Sequence, residues 1–125
     1  MEIKELVKEA HQTAKEKGFW DEKRNNSELL MLIVTELGEA CEALRKNHRQ
    51  TCTKTVEYGE GVYEEKDVPS LEEATWKKNT FEDEIADVFI RLGDLCAGLD
   101  IDIEWHIKKK MEYNRNRPYK HGKQF

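Results

Sequence analysis

Cysteine is scarce, long apolar runs are missing, and there is no excess of basic residues. The cysteines number three (Cys41, Cys52 and Cys96), with no C-x-x-C pair. That argues against a disulfide framework and for a reducing, cytosolic compartment. Cys41 and Cys96 fall at apolar helical positions, where a small core residue is the expected role. No apolar run approaches the roughly 18–20 residues that cross a bilayer, and the opening MEIKELVKEA mixes acids with bases where a signal peptide would be apolar. A cytoplasmic protein with no membrane partner is expected. The formal net charge of −5 argues against a general binder of nucleic-acid polymers, which would carry a strongly basic balance.

What is present suits one small domain. The 125 residues are 38% apolar and 38% charged, so the core is small and the elements carry broad solvated faces. The charge is unevenly placed. Residues 105–125 hold seven Lys or Arg against the single acid Glu112, or +6, which leaves −11 for residues 1–104. An acidic body with a basic tail suits a protein that holds metal cations in one place and an anion in another. It equally suits a helical protein with a solvated basic end.

Helical periodicity dominates. Ile3, Leu6, Val7, Ala10 and Ala14 recur at helical spacing until Gly18 stops them. A loop, Phe19 to Asn26, leads to a second helix from about Ser27 to Asn47, with the stripe Leu29, Leu30, Ile33, Leu37, Ala40, Cys41 and Leu44. A third helix starts at Thr80, where Thr80-Phe-Glu-Asp83 resembles a capping box with Asp in place of Glu. Its stripe is Ile85, Val88, Phe89, Leu92, Leu95, Cys96 and Leu99. Asp100 or Asp102 caps a fourth helix to about Asn116, and Pro118 ends it.

Residues 48–79 form a polar stretch too long for a simple connection. Within it, Thr53 to Tyr58 and Val62 to Glu65 flank Gly59-Glu60-Gly61 as a small β-hairpin would. Ser70-Leu-Glu-Glu73 reads as a capping box opening a short helix to about Lys78. The predicted fold class is all-α: one domain, 1–125, an antiparallel four-helix bundle with this elaborated loop between its second and third helices.

The informative residues are acids. Glu36 and Glu39 sit three apart on the second helix, and Glu84 and Asp87 three apart on the third. Residues i and i+3 project together from a helix, and like charges so placed repel unless a cation or a wide solvated face relieves them. Both pairs lie inside apolar stretches and beside small residues (Gly38, Ala40, Ala86), so a place near the core is expected. Four acids from two facing helices can hold hard divalent cations, Mg²⁺ keeping waters and substrate phosphates in its shell. One such pair alone reads as a solvated face.

On the fourth helix Lys110, Asn114 and Arg117 share a face, where two cations and an amide can grip a phosphate chain or simply form a basic stripe. Arg91, four after Asp87, reads either as a salt-bridge partner of the acids or as a phosphate contact. Trp20 reads either as a platform for a base or as core.

Together Gly18-Phe-Trp-Asp21, LIVTELGEACEALR (Leu32 to Arg45), FEDEIADVFIRLGDL (Phe81 to Leu95) and KMEYNRNRPYKHGKQF (Lys110 to Phe125) resemble the MazG-type nucleoside triphosphate pyrophosphohydrolases of the all-α NTP pyrophosphatase superfamily. The combination E-x-x-E, E-x-x-D and K-x-x-x-N-x-x-R-P carries the likeness, over residues 18–47 and 81–125. The resemblance implies a Mg²⁺-dependent hydrolase, with Mn²⁺ as a substitute. It would cut a nucleoside triphosphate between its α- and β-phosphates to a monophosphate and pyrophosphate. It makes Glu36, Glu39, Glu84 and Asp87 the metal ligands and gives Lys110 and Asn114 contacts to phosphate or sugar, with Arg117 in the same group or fixing the tail. Glu36 and Glu39 are the catalytic candidates, Glu39 as acceptor of the attacking water's proton. A homodimer or homotetramer is implied by resemblance. The 48–79 insertion departs from the family pattern. It reads as a lid, a base-selecting wall or a subunit contact, with Tyr58, Tyr63 and Trp76 as candidate stacking residues.

Two other readings compete. A di-iron carboxylate bundle needs Glu-x-x-His pairs, and none of His11, His48, His106 and His121 lies three after a Glu. A non-enzymatic helical interaction or regulatory module would use the acids only as surface charge.

Overall fold

The structure is a computed structural model in which residues 1–123 are described; Gln124 and Phe125, the end of the family-like tail, lie outside the described residues. The elements are α1 (Ile3–Glu16), α2 (Asn26–Arg45), β1 (Thr53–Tyr58), β2 (Val62–Asp67), α3 (Phe81–Gly98) and α4 (Ile103–Arg115), then a 3₁₀ turn over Tyr119–Gly122. Four helices fall where periodicity puts them. The all-α class is nonetheless corrected: a two-stranded antiparallel sheet makes the fold mixed α/β, and it is described as such in place of a four-helix bundle. No helix of the described residues is long and apolar enough to cross a membrane.

The chain divides into two compact units, Asn26–Phe89 and Met1–Asn25 with the chain from Ile90 onward. In the first, α2 buries Leu29, Ile33, Glu36, Ala40 and Ala43, a stripe at helical spacing. Gly59 and Gly61 turn the hairpin at φ of 57° and 83°, a left-handed backbone open to glycine without steric cost, and this sets the register Tyr58↔Val62 through Thr53↔Asp67. Its outer strand β2 is exposed throughout, while β1 is held by the chain that follows: Thr75 N–H donates to the Thr53 carbonyl at 2.9 Å and Thr55 N–H to the Thr75 hydroxyl at 2.8 Å.

The short helix expected after Ser70 is a correction too. Residues 70–74 form turns only, with Glu73 N–H on the Ser70 carbonyl and Ala74 N–H on that of Leu71. A capping box supplies no apolar face. Leu71 and Trp76 are each 66% exposed, and so short a segment is not helical without packing.

At the base of the insertion three consecutive residues join two helix ends. His48 N–H donates to the Ala43 carbonyl in the last turn of α2, and its carbonyl accepts from Phe81 N–H, the first residue of α3, both at 2.8 Å. Arg49 Nε donates to Glu82 Oε1 at 2.5 Å and Gln50 N–H to Glu82 Oε2 at 2.9 Å. The Gln50 amide donates to the Thr51 and Thr75 carbonyls and accepts from Lys77 N–H, each at 2.9 Å. The α3 cap follows the expected pattern, shifted by one residue: Asp83 N–H donates to the Thr80 hydroxyl, while the Asp83 carboxylate accepts from Asn79 N–H.

In the other unit Gly98 lets the Trp20 indole lie against α3, since a Cβ there would stand 2.3 Å from the ring. Trp20 Nε1 donates to Asp94 Oδ1 at 2.8 Å, the His11 ring nitrogen Nδ1 shares that oxygen at 2.9 Å, and the two rings meet edge to face. Asp102 caps α4 by accepting from Trp105 N–H. Of the cysteines, all free, Cys96 is buried as expected and Cys41 is exposed.

Candidate metal centre

Helical spacing aims Glu36 and Glu39 from one side of α2, and Glu84 from the first turn of α3. One carboxylate oxygen from each of the three falls within 4.8 Å of the others. Glu36 and Glu84 are buried, at 7% and 8% exposure, and Glu39 is exposed. Burial pushes the Glu84 carboxyl above the usual carboxylate range. The Glu39 charge, a hydrogen bond with Glu39, and the charges of Asp87 and Glu36 push the same way. Each ionised neighbour makes a further negative charge harder to place, so the cluster costs stability until a cation or a proton enters it.

Asp87, half-buried one turn further along α3, acts on Glu84 through its charge but does not join the three convergent oxygens. The donor set is all oxygen, which suits a hard cation such as Mg²⁺ or Mn²⁺ over zinc. Oxygens sharing one Mg²⁺ at about 2.1 Å stand roughly 3–4 Å apart, within the 4.8 Å that bounds the three oxygens here. Glu36, Glu39 and Glu84 therefore fit such an ion in donor chemistry.

Trp20, Arg91, Lys110, Asn114 and Arg117 belong to the other unit. Lys110 is exposed on α4, and Arg117 lies just past the helix end, its N–H on the Asn114 carbonyl. Both cations gather on one ring: Lys110 Nζ is 4.8 Å and Arg117 Cζ 5.5 Å from the Tyr113 centroid. Sequence reasoning passed over Tyr113, although it follows Lys110 by three and precedes Arg117 by four, helical neighbours on both counts. The Asn114 side-chain oxygen is buried with no hydrogen-bond partner among the described residues. Such an acceptor gains from any donor that reaches it. Arg91 is exposed on α3. Trp20 is held by Asp94, His11 and Gly98, contacts between residues far apart in the chain that no local spacing announces. In the insertion Tyr58, Tyr63 and Trp76 are exposed, with Lys66 Nζ 5.4 Å over the Tyr58 ring.

Compared with known family models, with curated proteins and with solved structures, the chain matches none.

Proposed function

We propose that this chain is a Mg²⁺-dependent pyrophosphohydrolase of MazG type, converting a ribo- or deoxynucleoside triphosphate to its monophosphate and pyrophosphate in the cytoplasm. The observation that carries the reading is the convergence of Glu36, Glu39 and Glu84, two of them buried, with one carboxylate oxygen of each within 4.8 Å of the others. Residues three apart on one helix meet an acid from another helix, and the repulsion among them is what a bound cation would relieve.

In this reading Glu36, Glu39 and Glu84 hold the ion and Asp87 adds to the field around it. Bound Mg²⁺ supplies charge neutralisation along the phosphates and a water of lowered pKa. Glu39 is the exposed member, so it is the carboxylate open to solvent and suited to accept a proton from the attacking water. Taken by itself, the other unit gathers Lys110 and Arg117 on the Tyr113 ring, charge suited to phosphate, and its buried Asn114 oxygen is an acceptor suited to a hydroxyl or amine. Most of the rate enhancement comes from positioning and electrostatics, as in phosphoryl transfer generally.

Self-association to a homodimer or homotetramer is part of the same proposal. Leu30, Val34, Leu37 and Leu44 recur along α2 at steps of four, three and seven, and each is roughly half exposed or more. So continuous an apolar stripe is unusual on the surface of a monomer. The same stripe favours a second reading, a non-enzymatic interaction module, and one experiment separates the two. Purified protein is incubated with Mg²⁺ and a panel of nucleoside triphosphates, and the products are resolved by ion-exchange chromatography. Monophosphate with pyrophosphate is the expected result, and the pattern of rates names the base. Diphosphate with orthophosphate refutes the reaction assigned. Absence of turnover across the panel favours the interaction module.

A further inference from the structure

We infer that the His48–Gln50 segment is a positioning device for the metal centre, a latch that sets the axial register of α2 against the first turn of α3; this rests on the metal-binding reading above. Glu36 and Glu39 come from α2, and Glu84 from α3, with the whole inserted hairpin lying between them in sequence. A connection of that length does not by itself hold two helix ends in register.

The latch does. His48 bonds the last turn of α2 with its N–H and the first residue of α3 with its carbonyl, so one residue bridges both helix ends. Arg49 and Gln50 then occupy both oxygens of Glu82, two residues before Glu84, and the Arg49 guanidinium also lies 5.3 Å over the Phe81 ring. Gln50 carries the restraint into the insertion through the Thr75 carbonyl and Lys77 N–H. Glu39 stands six residues before the end of α2, about 9 Å along the axis at 1.5 Å per residue. Glu84 is only three residues inside α3.

An axial slip of α3 therefore moves Glu84 directly against Glu36 and Glu39. Mg²⁺ demands near-ideal octahedral geometry at short bond lengths, so a slip of a fraction of an ångström is felt in affinity. None of Arg49, Gln50 and Glu82 belongs to the ligand cluster; they act through its placement.

The test is Mg²⁺ affinity by titration calorimetry at 20 °C on wild type, Glu82→Gln and Arg49→Ala, with circular dichroism confirming equal helix content. Affinity of a fully folded protein does not report global stability, so a residue that only stabilises the fold leaves Kd unchanged. The two variants change charge in opposite senses. A purely electrostatic effect weakens binding in Glu82→Gln and strengthens it in Arg49→Ala. Loss of register weakens both, with Kd rising about tenfold, the lower end of what outer-sphere support is worth at metal sites. Arg49→Lys restores part of the affinity, and Glu65→Gln, which removes the Lys77 ion pair within the insertion, leaves it unchanged. Wild-type binding with both latch variants within twofold of it overturns the latch alone, as do opposite shifts in the two. Absence of Mg²⁺ binding to wild type overturns the metal reading and the latch's role with it. Should Glu82→Gln fail to fold, Arg49→Ala, a change at an exposed side chain, decides between register and charge by its sign.

Discussion

Replacing Glu84 by Gln should stabilise the metal-free protein and destroy its response to Mg²⁺. The carboxylate is buried, and its oxygen lies within 4.8 Å of those of Glu36 and Glu39. Two unit charges at that separation repel by about 1 kcal/mol in a water-like medium and about 3.5 kcal/mol at an effective dielectric of ~20. Glu39 is exposed and screened, so the lower figure suits that pair, and burying an amide without its full set of partners offsets some of the gain. Where all three carboxylates are ionised, a net stabilisation of about 1–2 kcal/mol follows, and because the Glu84 carboxyl is shifted upward the gain grows with pH. For a chain of this size that raises Tm by about 3–10 °C.

In Mg²⁺ the order reverses. A ligand at 100 times its Kd stabilises a folded protein by about 2.7 kcal/mol, and the variant, short of a ligand, forgoes most of that. The assay is differential scanning calorimetry in EDTA and in saturating Mg²⁺. A variant that melts at or below wild type in EDTA, or gains as much as wild type from Mg²⁺, refutes the account of these acids as a strained, cation-seeking cluster.

Three further outcomes follow from the same structure. Gly98→Ala should cost about 1–3 kcal/mol by overpacking, despite alanine's better helix propensity, because the new methyl displaces the Trp20 indole; a red-shifted tryptophan emission accompanies the lower Tm, and unchanged emission refutes the contact. The Glu82 carboxyl is held down to about 2, first by the Gln50 N–H and then by Arg49. Its folded value is below its unfolded one, so the stability it supplies is present above about pH 4.5 and drains away toward pH 2. Solvent exposure keeps the sum small, and acid titration of Glu82→Gln should show a shallower loss than wild type over that window. Leu37→Glu, a charge placed in the exposed α2 stripe, should shift the protein toward monomer by analytical ultracentrifugation while leaving its far-ultraviolet dichroism unchanged. Retention of the oligomer would place the interface elsewhere.

Local order was legible in the chain wherever a short-range rule decides it. Apolar spacing located α1 to α4, Gly59-Glu60-Gly61 located the hairpin turn, Thr80 located a cap, and i, i+3 spacing paired the acids on their helices. The same rules failed where a local signal met no tertiary support. Ser70 opens a turn because Leu71 and Trp76 find nothing to pack on, and half of the α2 stripe is exposed because spacing names an apolar face without naming what covers it. The all-α class fell for a related reason: the residues of the insertion pair with each other across the turn instead of joining the helices.

What only the tertiary structure decided is which acids meet. Glu36, Glu39 and Glu84 bring their oxygens within 4.8 Å of one another while Asp87 acts on Glu84 through its charge, an arrangement that depends on the axial register of two helices joined through a long insertion. That register depends on hydrogen bonds such as Gln50 to Glu82, thirty-two residues apart, just as the placement of Trp20 depends on Asp94 and on the missing Cβ of Gly98. The sequence by itself determined helices, turn and charge, because those follow from neighbours within about four residues. It left the meeting of the acids open, because contacts between distant segments are settled by packing and have no spacing to read.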